Sequence, residues 1–379
     1  MLGLLACTAT NPVDSAEALP ILGEQIQVTP GDGMPAEAPS MASNNNLDVV
    51  RHDGRVFYAF RTAPDHFASA ETWLHVVSSA DQVDWDYETS FFMETDLREP
   101  RFLSWDGQLF LYFAVLGDDP NAFEPQGTMV SIYDGAWSEP EWLFQDSLIP
   151  WRTRVMEGQP TLIGYTGGDD IYDPDGMPAI EVKWMTSPDG LTWTGDTVWT
   201  GGGSETDFAF REDGSVVAVV RNEAGDAEGF GSLVCRGEAA APKDWTCAHD
   251  PKKYDSPLVF EQGGSVWLIG RRNVTETGDF DLQRDDLDHQ AQFLSYSLDY
   301  WQNPKRCSLW RVDGDALSVE WVLDLPSRGD TCFASILEVD DRTVEVYNYS
   351  NDPDGPDLAW LEGQKGETNI YRQTLTFPE

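Results

Sequence analysis

Positive charge is scarce in this sequence. Of 379 residues, 24 are Lys or Arg and 66 are Asp or Glu, so the formal net charge at pH 7 is −42. Such a surface repels the phosphates of nucleic acids and of anionic lipids, which excludes both as partners. We interpret the acidity as a solubility feature, because salt can screen the self-repulsion of the folded chain.

Long apolar runs are missing as well. No stretch is long enough to span a membrane, and apolar residues at helical spacing are hard to find. Short runs of Val, Ile, Leu, Phe, Tyr and Trp are common, and 33 Gly and 23 Pro are distributed along the chain. This combination favours an all-β fold.

Cysteine is infrequent, with five residues in the chain. Cys7 ends the stretch Leu-Leu-Ala-Cys, which resembles the bacterial lipobox, where the Cys becomes the lipidated N-terminus. Among three connectivities of the other four, we predict the pairs Cys235–Cys247 and Cys307–Cys332; buried free thiols are the alternative. Paired cysteines need an oxidising compartment, which predicts an exported protein, either a cell-envelope lipoprotein or extracellular.

Composition divides the chain into three parts. Residues 1–7 are interpreted as a truncated lipoprotein-type signal with its lipobox, and residues 8–42, rich in Ala, Pro, Gly, Asp and Asn, as a flexible linker. Residues 43–379 form the folded domain, which we expect to be a monomer. Membrane contact is expected only through the N-terminal lipid anchor.

A hairpin pattern recurs along this domain: an apolar strand, a two-residue turn and a second apolar strand. The turns begin at residues 53, 106, 157, 213, 263 and 340, and the long last step contains a polar insertion at 273–290. A period of about fifty residues is typical of propellers and solenoids. Six hairpins, each completed by two outer strands, predict a six-bladed β-propeller, with five blades as the alternative. Strands near Gly23–Pro30 and Thr368–Phe377 are expected to close the ring.

A shorter motif supports the same fold. Ser79–Trp85 and Ser187–Trp193 share the pattern Ser-x-Asp-x-x-x-Trp. The pattern resembles the Asp-box, a turn motif of sialidase-like propellers that is usually one residue longer. Its Asp caps the turn and its Trp packs between strands, so the motif bears on fold and not on catalysis.

The functional candidates follow from the architecture, because the first strand of each blade lines the central channel and ligands bind at its mouth. The hairpin ends carry acidic and basic residues. The candidate catalytic residues are Glu205, Asp207, Asp255 and Asp330. The candidate substrate-binding residues are Arg61, Arg98, Arg101, Arg152, Arg154, Arg221, Arg271, Arg272 and Tyr347. Arginine forks can bind a carboxylate or sugar hydroxyls, whereas salt bridges between blades are the alternative role.

Several stretches together resemble bacterial sialidase-like propellers of the exo-α-sialidase superfamily, from about Asn45 onward. They are LREPRF, WRTRV, SETDF…VVRN and DLPSRGDTCFASILEV. In that family three Arg hold the substrate carboxylate, a Tyr paired with a Glu is the nucleophile, and an Asp is the acid/base. Glu205 and Arg221, sixteen residues apart, match the family's Glu and second Arg, and Arg271 or Arg272 can supply another.

The chain also departs from the family pattern. Asn44–Leu47 stands where the family has its first Arg, and Cys332-Phe333 stands where its nucleophilic Tyr is expected. Tyr347 and Tyr349 lie on the following strand. If the site hydrolyses glycosides, two of the four candidate carboxylates are therefore the expected pair, with one kept protonated by burial.

Metal and histidine signals are weak. The loop containing Asp169, Asp170, Asp173 and Asp175 resembles a calcium loop without the full spacing of an EF-hand, so calcium is a minor expectation and no other metal or cofactor is predicted. The five His show no zinc-like spacing. His66, in the loop after the first hairpin, could reach the channel mouth, although a surface position is the simpler interpretation.

Two functional hypotheses remain. The first is an exported glycoside hydrolase with several Arg and at least two carboxylates around an open pocket. The second is a non-catalytic propeller that binds a glycan or a protein, with Arg–carboxylate pairs that satisfy each other and no open pocket. The sequence slightly favours the hydrolase, with carbohydrate as substrate or ligand.

Overall fold

Six antiparallel sheets arranged around a central channel make up the protein. A computed structural model describes residues 19–168, 171 and 179–378, and the strands of these residues form six separate sheets. The prediction of an all-β, six-bladed propeller is therefore confirmed, and the five-bladed alternative is not observed. Cys7 and the four aspartates of the acidic loop lie outside the described residues.

Five blades follow one another along the chain, each with four strands, and the sixth contains both chain ends. The first two strands, which belong to the sixth blade, are β1 (Ile21–Leu22) and β2 (Ile26–Thr29). Blade 1 has β3 (Ser43–His52), β4 (Arg55–Ala63), β5 (Trp73–Ser79) and β6 (Asp86–Phe91). Blade 2 has β7 (Leu97–Trp105), β8 (Gln108–Val115), β9 (Gly127–Tyr133) and β10 (Glu141–Phe144). Blade 3 has β11 (Ile149–Met156), β12 (Gln159–Thr166), β13 (Ile180–Thr186) and β14 (Thr194–Gly201).

The remaining blades carry the two helices. Blade 4 has β15 (Thr206–Phe210), β16 (Val216–Asn222), β17 (Gly231–Glu238) and β18 (Ala241–Asp250). Blade 5 has β19 (Asp255–Gln262), β20 (Ser265–Asn273), β21 (Lys305–Asp313) and β22 (Ser318–Asp324), with α1 (His289–Gln302) between β20 and β21. Blade 6 has β23 (Ser335–Asp340), β24 (Thr343–Ser350) and β25 (Asn369–Thr376), with α2 (Trp360–Gly363) between β24 and β25.

The two-residue turns with positive φ are present in blades 1, 2, 3 and 5. In blade 4 a longer loop joins Phe210 to Val216, and the blade 6 turn after Asp340 has no positive φ. Asp53 and Gly54 both have positive φ, 46° and 78°, and Asp106 and Gly107 have 50° and 74°. Two successive positive φ angles match the twist of antiparallel strands, which is why a two-residue turn joins them. These turns fix the register of the first two strands of those four blades.

The hydrophobic core lies between neighbouring blades and not in one central cluster. Phe57 of blade 1 packs with Leu111 of blade 2, and Val217 of blade 4 packs with Leu268 of blade 5. Each such side chain, when fully buried, stabilises the fold by about 1.5–3 kcal/mol. Each blade therefore needs its neighbours to shield its apolar side chains from water.

The ring closes through hydrogen bonds between the two ends of the chain. β2 pairs with β25, with Ile26 opposite Arg372, and the amide of Asn44 donates to the carbonyl of Thr368 at 3.3 Å. Closing strands near both ends were predicted, and they are present. The predicted linker at residues 8–42 nevertheless differs from the structure, because β1 and β2 fall within it; pairing them covers the otherwise open edge of β25.

Both predicted disulfides are confirmed. Cys235 and Cys247 face each other on β17 and β18 of one blade. Cys307 on β21 is bonded to Cys332, which precedes β23, so this bond joins blade 5 to blade 6.

The two Ser-x-Asp-x-x-x-Trp stretches form turns of one kind. The carboxylate of Asp81 accepts two backbone N–H bonds at 2.9 and 3.0 Å, and that of Asp189 accepts two at 2.8 and 2.6 Å. Trp85 of the first turn is buried. The equivalence of these turns to the Asp-box stays a prediction.

Buried carboxylates on the inner strands tie one blade to another. Asp48 of β3 accepts the amide of Phe102 in blade 2 at 2.7 Å and the hydroxyl of Ser335 in blade 6 at 2.6 Å. Asp207 of β15 accepts the amide of Val259 in blade 5 at 2.6 Å and pairs with Arg154 of blade 3. A buried carboxylate must be paired and hydrogen-bonded, and here its partners come from other blades.

No helix in the described part of the chain is long and apolar enough to cross a membrane.

Replacing Asp207 with Asn should destabilise the ring. The Asn leaves the partly buried Arg154 without its negative partner, so we expect the free energy of unfolding to fall by about 3–5 kcal/mol. Urea denaturation followed by tryptophan fluorescence measures the change. Asp53→Asn at an exposed hairpin turn is the control and should stay within about 0.5 kcal/mol of the unchanged protein. Equal stability of the two variants would contradict the role of Asp207 in holding the blades together.

Candidate functional site

A cavity of about 370 Å³ opens at one end of the central channel. Its walls come from the starts of inner strands, the ends of second strands and the connections between blades. The charged and titratable side chains that line it are His66, Arg98, Glu99, Glu205, Arg221 and Arg271. The aromatic side chains that line it are Phe67, Phe123, Tyr165, Trp301, Phe333, Tyr349 and Trp360. Polar groups converging in a partly apolar concave pocket are typical of a small-molecule or sugar site.

An acidic or amide residue faces an Arg across the first hairpin in three blades. The facing pairs are Asn45–Arg61, Glu205–Arg221 and Asp255–Arg271. The pattern recurs because each of these hairpins has the same length, so the start of the inner strand always lies beside the end of the second strand. The arginines predicted from the hairpin ends are therefore brought to the mouth of the channel or just behind it.

Backbone irregularities at the starts of inner strands turn side chains into the cavity. Asn46, Glu99 and Ser256 have positive φ angles of 38°, 51° and 53°, and the strand register shifts at each of them. A bulge of this kind re-aims side chains, and non-glycine residues adopt it only where the surroundings enforce it. All three residues line the cavity.

Glu205 is the carboxyl group with the most distinctive electrostatics. Its Oε1 lies 2.9 Å from Arg221, and its Oε2 accepts the amide of Ser256 at 2.7 Å. Burial outweighs the attraction of Arg221 and, together with the charges of Asp255 and Glu99, raises the pKa of Glu205 to about 7. Near neutral pH this carboxyl is therefore a proton donor for part of the time.

Glu99 is a second carboxyl group in the same cavity. Its Oε1 accepts a hydrogen bond from Asn46 at 3.0 Å, and its Oε2 lies 3.6 Å from Arg101. Burial outweighs these partners and raises the pKa of Glu99 above its ordinary value. The sequence placed Glu99 at a hairpin start but gave no signal that a bulge aims it at the cavity.

Asp330 lies behind the cavity wall and joins three groups that line it. Its carboxylate accepts from Tyr349 Oη at 3.0 Å and Trp360 Nε1 at 3.0 Å, and it lies 2.7 Å from His66 Nδ1. His66 and Arg271 outweigh the cost of burial and lower the pKa of Asp330. Burial and the Asp330 charge raise the pKa of Tyr349 well above its ordinary range.

Asp255 also lies behind the wall. It pairs with Arg271 at 2.9 Å, accepts from Tyr300 Oη at 2.9 Å and lies 3.4 Å from Lys253. Burial alone would raise its pKa, but Lys253, Arg271 and Arg221 together lower the pKa to about 2. Asp255 therefore serves as a fixed negative charge that holds Arg271 and Arg221 in place.

Three further candidates lie deeper in the channel. Asp207, Arg152 and Arg154 do not line the cavity and instead bridge blades 3, 4 and 5. Arg101 lies just below the cavity, with its guanidinium 4.4 Å from the centroid of the Phe333 ring. These four residues fit the salt-bridge alternative raised for the inner-strand charges.

The remaining candidates support the site or lie away from it. Arg61 is fully buried, pairs with Asp96 at 2.8 Å and donates to the carbonyl of Phe67 at 2.9 Å, so it anchors the loop between β4 and β5. Arg272 pairs with Asp324 on the other side of β20. Tyr347 donates to Gln82 outside the cavity.

Two tryptophans of the aromatic wall were missed from the sequence because helices supply them. Trp301 borders the C-terminal end of α1, and Trp360 begins α2 and lies 4.6 Å above the Arg271 guanidinium. The buried residues Phe293, Tyr296 and Tyr300 of α1 recur at helical spacing, which is the signal that could have revealed this helix.

Among residues 19–168, 171 and 179–378, no cluster of three or more His, Cys, Asp or Glu side chains is placed to hold a metal ion. Calcium binding by the acidic loop stays a prediction.

No protein-family model matches the sequence, and no curated protein matches it. Solved structures do match its fold. The crystal structure of a protein of unknown function from Dyadobacter fermentans has a TM-score of 0.64 and 14% identity, covering 95% of this chain and 99% of that one. The phage phi92 endosialidase has a TM-score of 0.57 and 11% identity, covering 94% and 69%.

A sialidase from Trypanosoma rangeli, solved with sialic acid, has a TM-score of 0.55 and 14% identity, covering 88% of this chain and 54% of that one. This chain thus spans about half the length of that sialidase. At such low identities the likeness shows the fold alone.

The pKa of Glu205 provides a direct test of this geometry. We expect Glu205 to titrate near pH 7, Glu99→Gln to lower that pKa by removing a nearby negative charge, and Arg221→Met to raise it by removing the positive partner. Carboxyl ¹³C NMR of glutamate-labelled protein, assigned with Glu205→Gln, gives the values. Arg272→Met is the control that leaves the pKa unchanged. A Glu205 pKa near the ordinary 4.5 would contradict the buried site.

Proposed function

We propose that this protein is a glycoside hydrolase whose active site is the cavity at the mouth of the propeller channel. The observation that carries the proposal is Glu205, a buried carboxyl whose pKa is raised to about 7 and which shares a cavity with arginines and aromatic rings. Glycoside hydrolysis needs such a carboxyl to protonate the leaving oxygen of the sugar.

The other residues of the cavity have chemistry that suits a sugar. Arg98, Arg221 and Arg271 offer N–H donors to hydroxyl or carboxylate oxygens. Phe123, Trp301 and other rings of the wall offer apolar surfaces to the faces of a sugar. Of the four carboxylates proposed from the sequence, Glu205 lines the cavity, while Asp255 and Asp330 act through the arginine, histidine and tyrosine that they hold.

The likeness to solved structures supports a glycan-acting propeller. Two of the similar folds are an endosialidase and a sialidase bound to sialic acid. The facing pair Glu205–Arg221, which resembles the exo-α-sialidase pattern, adds to that support. Asn44–Leu47 and Cys332-Phe333 still depart from the pattern, so the proposal names a glycoside and not a particular sugar.

Export belongs to the same proposal. Disulfides form and persist in oxidising compartments outside the cytosol, and the protein has two. Extracellular and cell-envelope glycans are found in the same compartments. Lipid attachment at Cys7, a monomeric state and a membrane contact limited to that anchor stay predictions, as does the absence of nucleic-acid binding.

A second function is favoured by one observation. Each cavity arginine already has a carboxylate partner: Arg98 pairs with Asp96, Arg221 with Glu205, and Arg271 with Asp255. Mutually satisfied pairs are what a non-catalytic propeller that binds a glycan or a protein would show. The open cavity, which that alternative did not predict, makes the hydrolase the better supported function.

Turnover of aryl glycosides, sialosides included, tests the hydrolase with the full chain. We expect the protein to release the aryl group from at least one substrate. The rate of release should fall as the pH rises through about 7, because Glu205 then loses its proton. Glu205→Gln should lower kcat/KM by about 100-fold or more.

A neighbouring pair of arginines supplies the matched comparison. Arg271→Ala removes a cavity residue and should reduce turnover, whereas Arg272→Ala removes its neighbour on the other side of the strand and should not. Folded protein that binds glycans but turns over no substrate would support the binding propeller instead.

A further inference from the structure

The loop between β4 and β5 holds one histidine firmly against the cavity. The amide of His66 donates to the carbonyl of Gln364 at 3.0 Å, and its own carbonyl accepts from Arg98 at 2.6 Å. Arg61 anchors the same loop through the carbonyls of Asp65 and Phe67. The position of the imidazole is therefore set by several bonds that do not involve its ring.

A buried aspartate orients the ring. Asp330 is 0% exposed, and its Oδ2 lies 2.7 Å from His66 Nδ1. The other carboxylate oxygen accepts from the hydroxyl of Tyr349 and from Nε1–H of Trp360, a group that can only donate. Asp330 is thus held as an ionised acceptor. Its oxygen lies 2.7 Å from Nδ1 of His66, much nearer than the amide nitrogen of Asn45 at 3.4 Å, so we assign the hydrogen to Nδ1. The other ring nitrogen, Nε2, then has a free lone pair when the ring is neutral.

His66, which carries this Nε2 lone pair, is part of the cavity wall. His66 lines the cavity, and its side chain is 16% exposed. No group among the described residues forms a hydrogen bond with Nε2 of His66, whereas Nε2 of His249 and of His289 contact backbone carbonyls. An oriented imidazole with one bonded nitrogen and one nitrogen without a hydrogen-bond partner, in the wall of a cavity, is the arrangement of a proton acceptor.

Burial of His66 favours the neutral form of its ring. The charged and titratable groups that face it are Asp330, Arg98, Arg61 and Tyr349. Burial, with a smaller effect from the two arginines, outweighs the attraction of Asp330 and lowers the pKa of His66 below 6.5. The ring can therefore accept a proton at neutral pH.

Glu99 is the competing acceptor in the cavity. Its Oε2 is buried without a hydrogen-bond partner among the described residues, and burial raises its pKa, which favours the protonated form. The Glu99 oxygens face donor or cationic groups, Asn46 at 3.0 Å and Arg101 at 3.6 Å, whereas Nε2 of His66 has no hydrogen-bond partner among the described residues. The imidazole is therefore the better placed proton acceptor.

We propose that His66 is the general base of the site, with Asp330 as its positioning residue, and that the enzyme hydrolyses its glycoside with inversion at the anomeric carbon. The inference rests on the proposed hydrolase. Nε2 of His66 takes a proton from water as the water oxygen bonds to the anomeric carbon. The bond to the glycosidic oxygen breaks, its electron pair stays on that oxygen, and the oxygen takes the proton of Glu205. Solvent then returns the proton from His66 to Glu205.

Three readouts on a cleaved substrate test this assignment. The pH profile of kcat/KM should be bell-shaped, rising as His66 becomes neutral and falling as Glu205 ionises near pH 7. His66→Asn should lower kcat by about 100-fold or more and abolish the acidic limb, and added imidazole should restore part of the rate of His66→Ala. Proton NMR of the first sugar product should show the inverted anomer. His52→Asn, at the far end of β3, is the control and should keep the wild-type rate and profile.

A second measurement does not depend on turnover, so a poorly folded variant cannot decide its result. Long-range ¹H–¹⁵N spectra of the wild-type protein near pH 7.5 should show His66 protonated on Nδ1 and bare on Nε2. Asp330→Asn should change that tautomer population and shift the acidic limb, which a merely structural role would not do.

Each contrary result has a separate meaning. A retained anomer, or an acidic limb that persists in His66→Asn, overturns the general base and leaves the hydrolase standing. Retention would instead assign the nucleophile to a group such as Tyr349. A hydrogen on Nε2 near pH 7.5 overturns the general base alone. Absence of any turnover by the wild-type protein overturns this inference together with the proposed function.

Discussion

Charge buried along the channel is the constraint on which the structure depends. An acidic protein with few basic residues places many of its arginines near the axis of the ring, where each must find a carboxylate. Asp207 forms a salt bridge with Arg154, Asp96 with Arg61, and Asp255 with Arg271. Because partners often come from different blades, the same pairs that neutralise the axis also hold the blades together. Glu205 is the exception that matters chemically, since burial outweighs the attraction of Arg221 and raises the pKa of Glu205 to about 7.

The site forms where the regular repeat is broken. Regular hairpins bring Glu205 beside Arg221 and Asp255 beside Arg271, whereas a bulge turns Glu99 towards the cavity. The outer wall comes from irregular additions: the His66 loop, and the helices that carry Trp301 and Trp360. A rigid ring thus supplies the fixed charges, and the connections supply the aromatic and titratable groups that would meet a ligand.

The fold could be predicted because its signals are local. Turns such as Asp53-Gly54 need positive φ, and their spacing counts the blades. The disulfide pairs were a choice among three connectivities, suggested by the short segment between Cys235 and Cys247 that suits a loop between neighbouring strands. The site was only partly predictable: residues two apart on a strand, Glu205 and Asp207, end in different surroundings because neighbouring blades contribute the partners. Asp330 contacts both Tyr349 of blade 6 and His66, which follows the first hairpin of blade 1. His66 and Asp330 are 264 residues apart in the sequence, so no local pattern reveals their contact.

The location of a bound glycan tests the central claim most directly. Glu205→Gln protein can be screened on an array of oligosaccharides, and the crystal structure of its complex with the strongest ligand can then be determined. The account predicts a sugar ring in the channel-mouth cavity, within hydrogen-bond distance of Arg221 or Arg271 and with its glycosidic oxygen beside residue 205. A glycan bound on the outer face of a blade, with the cavity filled only by water, would contradict it.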